Sequence, residues 1–231
     1  MDNKNYRIQD IDENLNMMRV YPLDVLVVGG TGAGKSSTLD MLLGEELAAI
    51  GRSYNPETQE VQDYSLNPKM RFWDSSGLGD GMENDKKHSK KLIDILYKEY
   101  TYGNERYGVI DLVLVVIDGS CRDMGTVFRL LNEVIVPNFP KDRILVVINQ
   151  ADMAMKGRHW NERLNAPDAV LKQFLEDKAL SIQARVEEAT GVSIVKPVYY
   201  SAQKGYNVHK LLDHVIDHMP TERREFNRSC A

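Results

Sequence analysis

The eight residues Gly29-Gly30-Thr31-Gly32-Ala33-Gly34-Lys35-Ser36 constrain this chain more than any other stretch. They fit G-x-x-x-x-G-K-[ST], and they lie between an apolar run, Asp24–Val28, and a helix-like stretch, Lys35–Leu43. Backbone amides can curl around phosphate oxygens only where side chains do not obstruct the approach, which is why glycine dominates the loop. In that arrangement Lys35 reaches the β- and γ-phosphates and the Ser36 hydroxyl ligates Mg²⁺. Kinases, ATPases and GTPases share the loop, so other residues must identify the base.

Around this loop, strand-like and helix-like segments alternate, the pattern of an α/β fold with a mostly parallel sheet. Val61–Leu66 and Met70–Trp73 flank the turn signal Asn67-Pro68 and predict a hairpin with one antiparallel edge strand. Val109–Asp118 and Ile144–Asn149 are Val- and Ile-rich, as central strands buried on both faces are. Helices are expected over Asn84–Tyr100, Gly125–Val136, Ala169–Thr190 (stopped by Gly191) and Val208–His218 (stopped by Pro220), with a last strand at Ile194–Tyr200. The expectation is a three-layer P-loop domain of about six strands over 23–220. Residues 1–22 read as a polar extension and 221–231 as a polar, frayed tail.

Composition excludes other classes. The net charge of −5 argues against a general affinity for nucleic acid or anionic membrane. No apolar run is long enough to span a bilayer, and residues 1–18 lack the apolar core of a signal peptide. Cys121 and Cys230 have no metal-ligand spacing and suit a reducing cytosol. His214 and His218 have i, i+4 spacing but no third ligand, and Lys86-Lys87-His88-Ser89-Lys90-Lys91 reads as a solvated helix face.

Three further motifs end predicted strands. Asp74-Ser75-Ser76-Gly77 fits D-x-x-G, in which the acid holds Mg²⁺ through water and the glycine amide meets the γ-phosphate. Asn149-Gln150-Ala151-Asp152 and Ser201-Ala202-Gln203 follow. A carboxylate such as Asp152 accepts paired hydrogen bonds from guanine N1–H and the exocyclic amine, a pair that adenine cannot donate. In this order the motifs resemble those of small GTPases, in particular the Era-like group of the TrmE–Era–septin class, across about Leu23–Pro220.

That resemblance implies slow, Mg²⁺-dependent hydrolysis of GTP to GDP and phosphate by a molecular switch. It implies nucleotide contacts from Gly30, Thr31, Gly32, Ala33, Gly34, Lys35, Ser36, Ser37, Asn149, Gln150, Asp152, Ser201, Ala202 and Gln203. It makes Lys35, Thr58 and Gly77 catalytic, assigns the metal to Ser36, Thr58 and Asp74, and makes Gly77–Gly81 the second switch. Implied partners are guanine nucleotide, an unidentified protein effector or activator, and a second copy in GTP-dependent self-association. A ribosomal or RNA partner stays open but gains nothing from the charge. A septin-like assembly module and a P-loop kinase or ATPase remain as alternatives.

The chain departs from the family pattern in four ways. Gln150 stands where most GTPases have Lys, which weakens the contact along the base while Asp152 keeps guanine selection. Leu78 stands where a water-orienting Gln is found in Ras-like proteins. Gly32 replaces the Asn that holds potassium in potassium-activated members. No counterpart of Era's RNA-binding KH domain follows Pro220. The long stretch between Asp152 and Ser201, with Arg158, His159 and Trp160, is a candidate effector surface.

Overall fold

In the computed structural model, which describes residues 3–19, 22–44, 62–75 and 82–226, a six-stranded sheet carries the site. Its strands are β1 (Leu23–Gly29), β2 (Gln62–Asn67), β3 (Met70–Asp74), β6 (Leu112–Asp118), β7 (Ile144–Asn149) and β10 (Val198–Tyr199), in the order β10-β7-β6-β1-β3-β2. All neighbours are parallel except β2, which pairs antiparallel with β3 at the edge. This is the expected sheet. The last strand is shorter than Ile194–Tyr200, with only Val198 and Tyr199 pairing to β7.

Strand alternation sorts the core into two apolar layers. Leu26, Val28, Val113, Val115, Val146 and Ile148 face α3 (Met82–Leu96), α4 (Gly125–Arg129) and α5 (Ala169–Thr190). Val25, Val27, Leu114, Val116, Leu145 and Val147 face α1 (Ile8–Met18), α2 (Lys35–Leu43) and α6 (Val208–Ile216). Where one helix was expected over Gly125–Val136, α4 passes into a wider π-helical stretch at Leu130–Ile135. Helix α5 ends at Gly191, whose left-handed φ of 65° lets its amide bond back to Glu187 O at 2.8 Å.

The polar N-terminal extension holds more structure than its composition suggests. Ile11, Leu15 and Met18 repeat at helical spacing along α1 and are buried. Arg7 ties the helix to α6 through Asp213 at 2.9 Å and Asp217 at 2.7 Å.

The helix expected over Asn84–Tyr100 stops at Leu96. The chain then turns into a hairpin, β4 (Glu99–Tyr102) and β5 (Glu105–Gly108), around Gly103 at φ 65°. The segment after Pro220, expected to fray, docks beside this hairpin. The Gly108 amide donates to Arg224 O at 2.8 Å and the Phe226 amide to Arg106 O at 3.1 Å. The Arg224 side chain is 7% exposed, donates to Leu96 O, and lies over Phe139 and Phe226. Arg143, equally buried, donates to Glu222 O at 2.7 Å. Cations that reach buried carbonyls and rings can leave water; composition alone does not show that reach.

Candidate nucleotide-binding site

Parallel strands that all point the same way bring their C-terminal ends to one edge, and four of the motifs sit there. The phosphate loop follows β1, Asp74 ends β3, Asn149–Asp152 leaves β7, and Ser201–Gln203 follows β10. A ligand held by all four lies across the ends of the sheet, the general location for binding in open α/β folds.

The phosphate loop is held open from within. Gly29 (φ 154°) and Gly34 (φ 86°) adopt conformations that side chains rarely take. A Cβ on Gly29 would collide with Val116 O on β6, and one on Gly34 with the Asn149 amide. Lys35 is buried, and its Nζ donates to Gly29 O at 3.2 Å and Gly30 O at 3.0 Å, so the ammonium lies over the loop. Helix α2 starts at Lys35, which turns its first amides and positive dipole end toward the loop. Ser36 and Ser37 are exposed at this end, as are Thr31 and Gly32.

Ser36 Oγ donates to Asp74 Oδ2 at 3.2 Å. A hydroxyl and a carboxylate oxygen side by side at the mouth of a phosphate loop form a hard-oxygen donor pair of the kind Mg²⁺ takes together with phosphate oxygens. The residues present therefore fit the metal. Thr58 and Gly77, with Leu78, lie outside the described residues.

Asn149 joins the two ends of the site. It is 1% exposed; its Nδ2 donates to Ala33 O at 3.1 Å, and its Oδ1 accepts from the Ala202 amide at 3.0 Å. One side chain thus ties the phosphate loop to the loop after β10. Gln150 has a left-handed φ of 59°, and its Nε2 donates to Gly32 O at 2.8 Å, so it also braces the phosphate loop. Asp152 is 4% exposed in the turn after β7, and Ser201 is fully buried, while Gln203 is exposed. The Ser201 and Tyr206 backbones exchange hydrogen bonds at 3.1 and 3.0 Å, which closes the loop that carries Ala202 and Gln203.

Two supports had no signal in the motifs. Tyr200 is fully buried, and its hydroxyl meets Thr38 Oγ1 at 2.7 Å, which fixes α2 against β10. Burial raises its pKa above the ordinary phenol value, so the hydroxyl stays protonated. Ser75 Oγ donates to Val27 O at 2.7 Å and pins the start of the D-x-x-G segment to β1. A Tyr or Ser next to a motif is common, and only the fold shows which ones face inward. Among the described residues, no group of three or more His, Cys, Asp or Glu is placed to hold a metal, and His214 and His218 remain a pair. No helix among them is long and apolar enough to cross a membrane.

Comparison with known proteins agrees with this geometry. The sequence model of a family described as 50S ribosome-binding GTPase matches residues 24–150. The chain is 28% identical to the tRNA modification GTPase MnmE of Bacteroides thetaiotaomicron over 71% of its own length but only 32% of MnmE. It is 30% identical to a probable GTP-binding protein EngB of Streptococcus agalactiae, over 62% of this chain and 69% of that protein. Among solved structures, Arabidopsis thaliana Toc33 in complex with GDP and Mg²⁺ superposes with a TM-score of 0.62 at 15% identity, covering 94% of this chain and 92% of Toc33. At that identity the likeness shows the fold alone. The matched span runs from the start of β1 through the phosphate loop and Asp74 to Gln150, and it places the chain in the P-loop GTPase family described as 50S ribosome-binding GTPases.

Proposed function

We propose that this chain is a Mg²⁺-dependent guanine-nucleotide switch that hydrolyses GTP slowly. The observation that carries the reading is the double tie of Asn149, which joins the phosphate loop to the loop after β10 and so builds the phosphate and base motifs into one site. Asp152 selects guanine by accepting from N1–H and the exocyclic amine. The loop amides and Lys35 neutralise phosphate charge and stabilise the transition state. Ser36 and Asp74, together with Thr58, would hold magnesium, which when bound would neutralise phosphate charge. The Gly77 amide senses the γ-phosphate.

Residues 23–220 form the nucleotide-binding unit, the segments 1–22 and 221–231 flank it, and helix α1 and residues 221–226 brace it. The matched relatives are MnmE and EngB, so we place the chain beside them in the class that also includes Era. Its setting is the cytoplasm. Its cycle is completed by a protein activator or by self-association, because Leu78 and Gly32 take the places of the water-orienting Gln and the potassium-holding Asn.

Leu78 cannot hydrogen-bond to water, and Gly32 cannot coordinate potassium through a side chain. Single-turnover hydrolysis should therefore run on the order of 10⁻⁴ to 10⁻² s⁻¹, the range of unassisted switches. The rate in potassium should equal that in sodium, and ATP should not compete with GTP. ATP competition would end the guanine reading; fast turnover in sodium would show that the chain itself orients the water.

A further inference from the structure

Residues 153–168 lie between the base-reading turn and α5, and none of the motifs accounts for them. The chain there is tightly wound, with left-handed φ at Met155, Lys156, Gly157, His159 and Asn165. It forms a small hairpin, β8 (Trp160–Asn161) against β9 (Ala166–Pro167), whose turn is closed by Leu164 N donating to Asn161 Oδ1 at 3.0 Å.

The base of this hairpin is anchored. Asp168 Oδ2 meets His159 Nδ1 at 2.8 Å, and Asp168 Oδ1 accepts from Val170 N and Leu171 N at 2.9 and 3.0 Å as the N-cap of α5. Its other side grips the loop after β10 in three places. Asn165 Nδ2 donates to Lys204 O at 2.8 Å, Glu162 pairs with Lys204 Nζ at 2.8 Å, and Trp160 meets Tyr206 edge to face at 5.2 Å between ring centroids. The Glu162 side chain is 73% exposed, so that ion pair contributes least. The hold rests on Asn165 and on the aromatic pair.

The gripped loop is the one whose Ala202 amide is tied to Asn149. Its internal restraints are the Ser201–Tyr206 backbone pair, the Gly205 amide donating to Ala202 O at 3.3 Å, and a hydrogen bond from the Lys204 amide to Ser201 Oγ at 3.1 Å. We propose that the 159–168 hairpin is a positioning element that holds the 201–206 loop against the guanine base and so sets the lifetime of bound nucleotide. The proposal rests on the guanine-site reading above. It gives Trp160 and Asn165 a role in retention of the base rather than in capture of an effector.

The test uses the full chain and three readouts: the release rate of a fluorescent GDP, KM and kcat for GTP, and the binding of tripolyphosphate as a probe without a base. Trp160→Ala and Asn165→Ala should each speed GDP release and raise KM by about three- to tenfold, the scale of one aromatic or hydrogen-bonded contact. Turnover at saturating GTP and tripolyphosphate binding should not change. Trp160→Phe should recover most of the loss, because it keeps a ring against Tyr206 and removes an indole nitrogen that is buried without a hydrogen-bond partner. If release stays at the wild-type rate while Asp152→Asn loses GTP, the hairpin does not position the loop, although the guanine reading stands. If kcat and tripolyphosphate binding fall along with GDP affinity, the hairpin serves general stability and the proposal is overturned. If Asp152→Asn keeps wild-type GTP affinity, the guanine reading falls and the proposal falls with it.

Discussion

At the scale of single residues, two positions of the base-reading turn respond to different substitutions. Asp152→Asn should weaken GTP binding and confer binding of xanthosine nucleotides, because the new amide can donate to the carbonyl that replaces the exocyclic amine. Equilibrium binding of both nucleotides checks this, and unchanged GTP affinity would remove Asp152 from base recognition. Gln150 has a second task that its sequence position did not reveal, the hydrogen bond to Gly32 O. A Lys there can still donate to that carbonyl while laying its stem and charge along the base. Gln150→Lys should therefore tighten GDP binding by about 1 kcal/mol, the scale of an exposed cation–π contact. Calorimetry showing equal or weaker affinity would mean that the Gln150–Gly32 bond matters more than the charge.

At the scale of elements, what was legible in the sequence follows a physical division. Strands β1, β6 and β7 are apolar on both faces because helices cover both, so their runs stand out. The motifs at their ends stand out because phosphate and base chemistry restrict residue type. The helix expected to Tyr100 overlaps only Glu99 and Tyr100 of the β4–β5 hairpin, and the rest of the hairpin stood between expected elements, although Tyr100, Tyr102 and Tyr107 around Gly103-Asn104 carry a hairpin signal. Helix α1 was hidden by its polar outer face. The docking of 221–226 had no local signal, because Arg224 finds its partners, Leu96 O and Phe139, only in the folded state. Arg224→Ala should destabilise the protein by about 2 kcal/mol or more, since it empties a buried position and strips Leu96 O of a donor. For a domain of this length each kcal/mol lowers the melting temperature by about 2–4 °C. Thermal melts in which Arg224→Ala matches the wild type would show that the segment rests loosely on the hairpin.

At the scale of the whole molecule, two buried groups make stability depend on pH in opposite directions. His214 is 5% exposed in α6, and burial, with His218 close by, lowers its pKa from 6.5 to about 4. The unfolded chain thus takes up a proton near pH 6.5 that the folded chain refuses until about pH 4. This stability is present above pH 6.5 and is lost as pH falls through that window, by up to about 3 kcal/mol. Asp111 lies at the start of β6, accepts from the Asp24 amide at 3.0 Å, and faces Asp24, Arg143 and Arg224. Burial raises its pKa from 3.8 to about 7, so its contribution is complete below pH 4 and is lost as pH rises through 7. Because the two slopes oppose each other, each is read against the wild type: the melting temperature of His214→Leu should gain on it as pH falls from 6.5 to 4, and that of Asp111→Asn should gain on it as pH rises from 4 to 7. Parallel pH profiles for wild type and either variant would show that the group concerned is not what the fold titrates.

The seat of Arg224 also bears on the order in which the chain is made. The carbonyl it caps belongs to a residue 128 positions earlier, and the hairpin it flanks is likewise complete long before Arg224 is synthesised. During synthesis, α3 and the hairpin are made with this seat open, because Arg143 and Arg224, the two cations that face Asp111, both follow them in the chain. Closing so long a loop is among the last steps of folding, and its entropic cost must be met before the contact yields anything. The seat at this end of the sheet, opposite the phosphate loop, is thus completed only by the segment around Arg224, close to the end of the described chain.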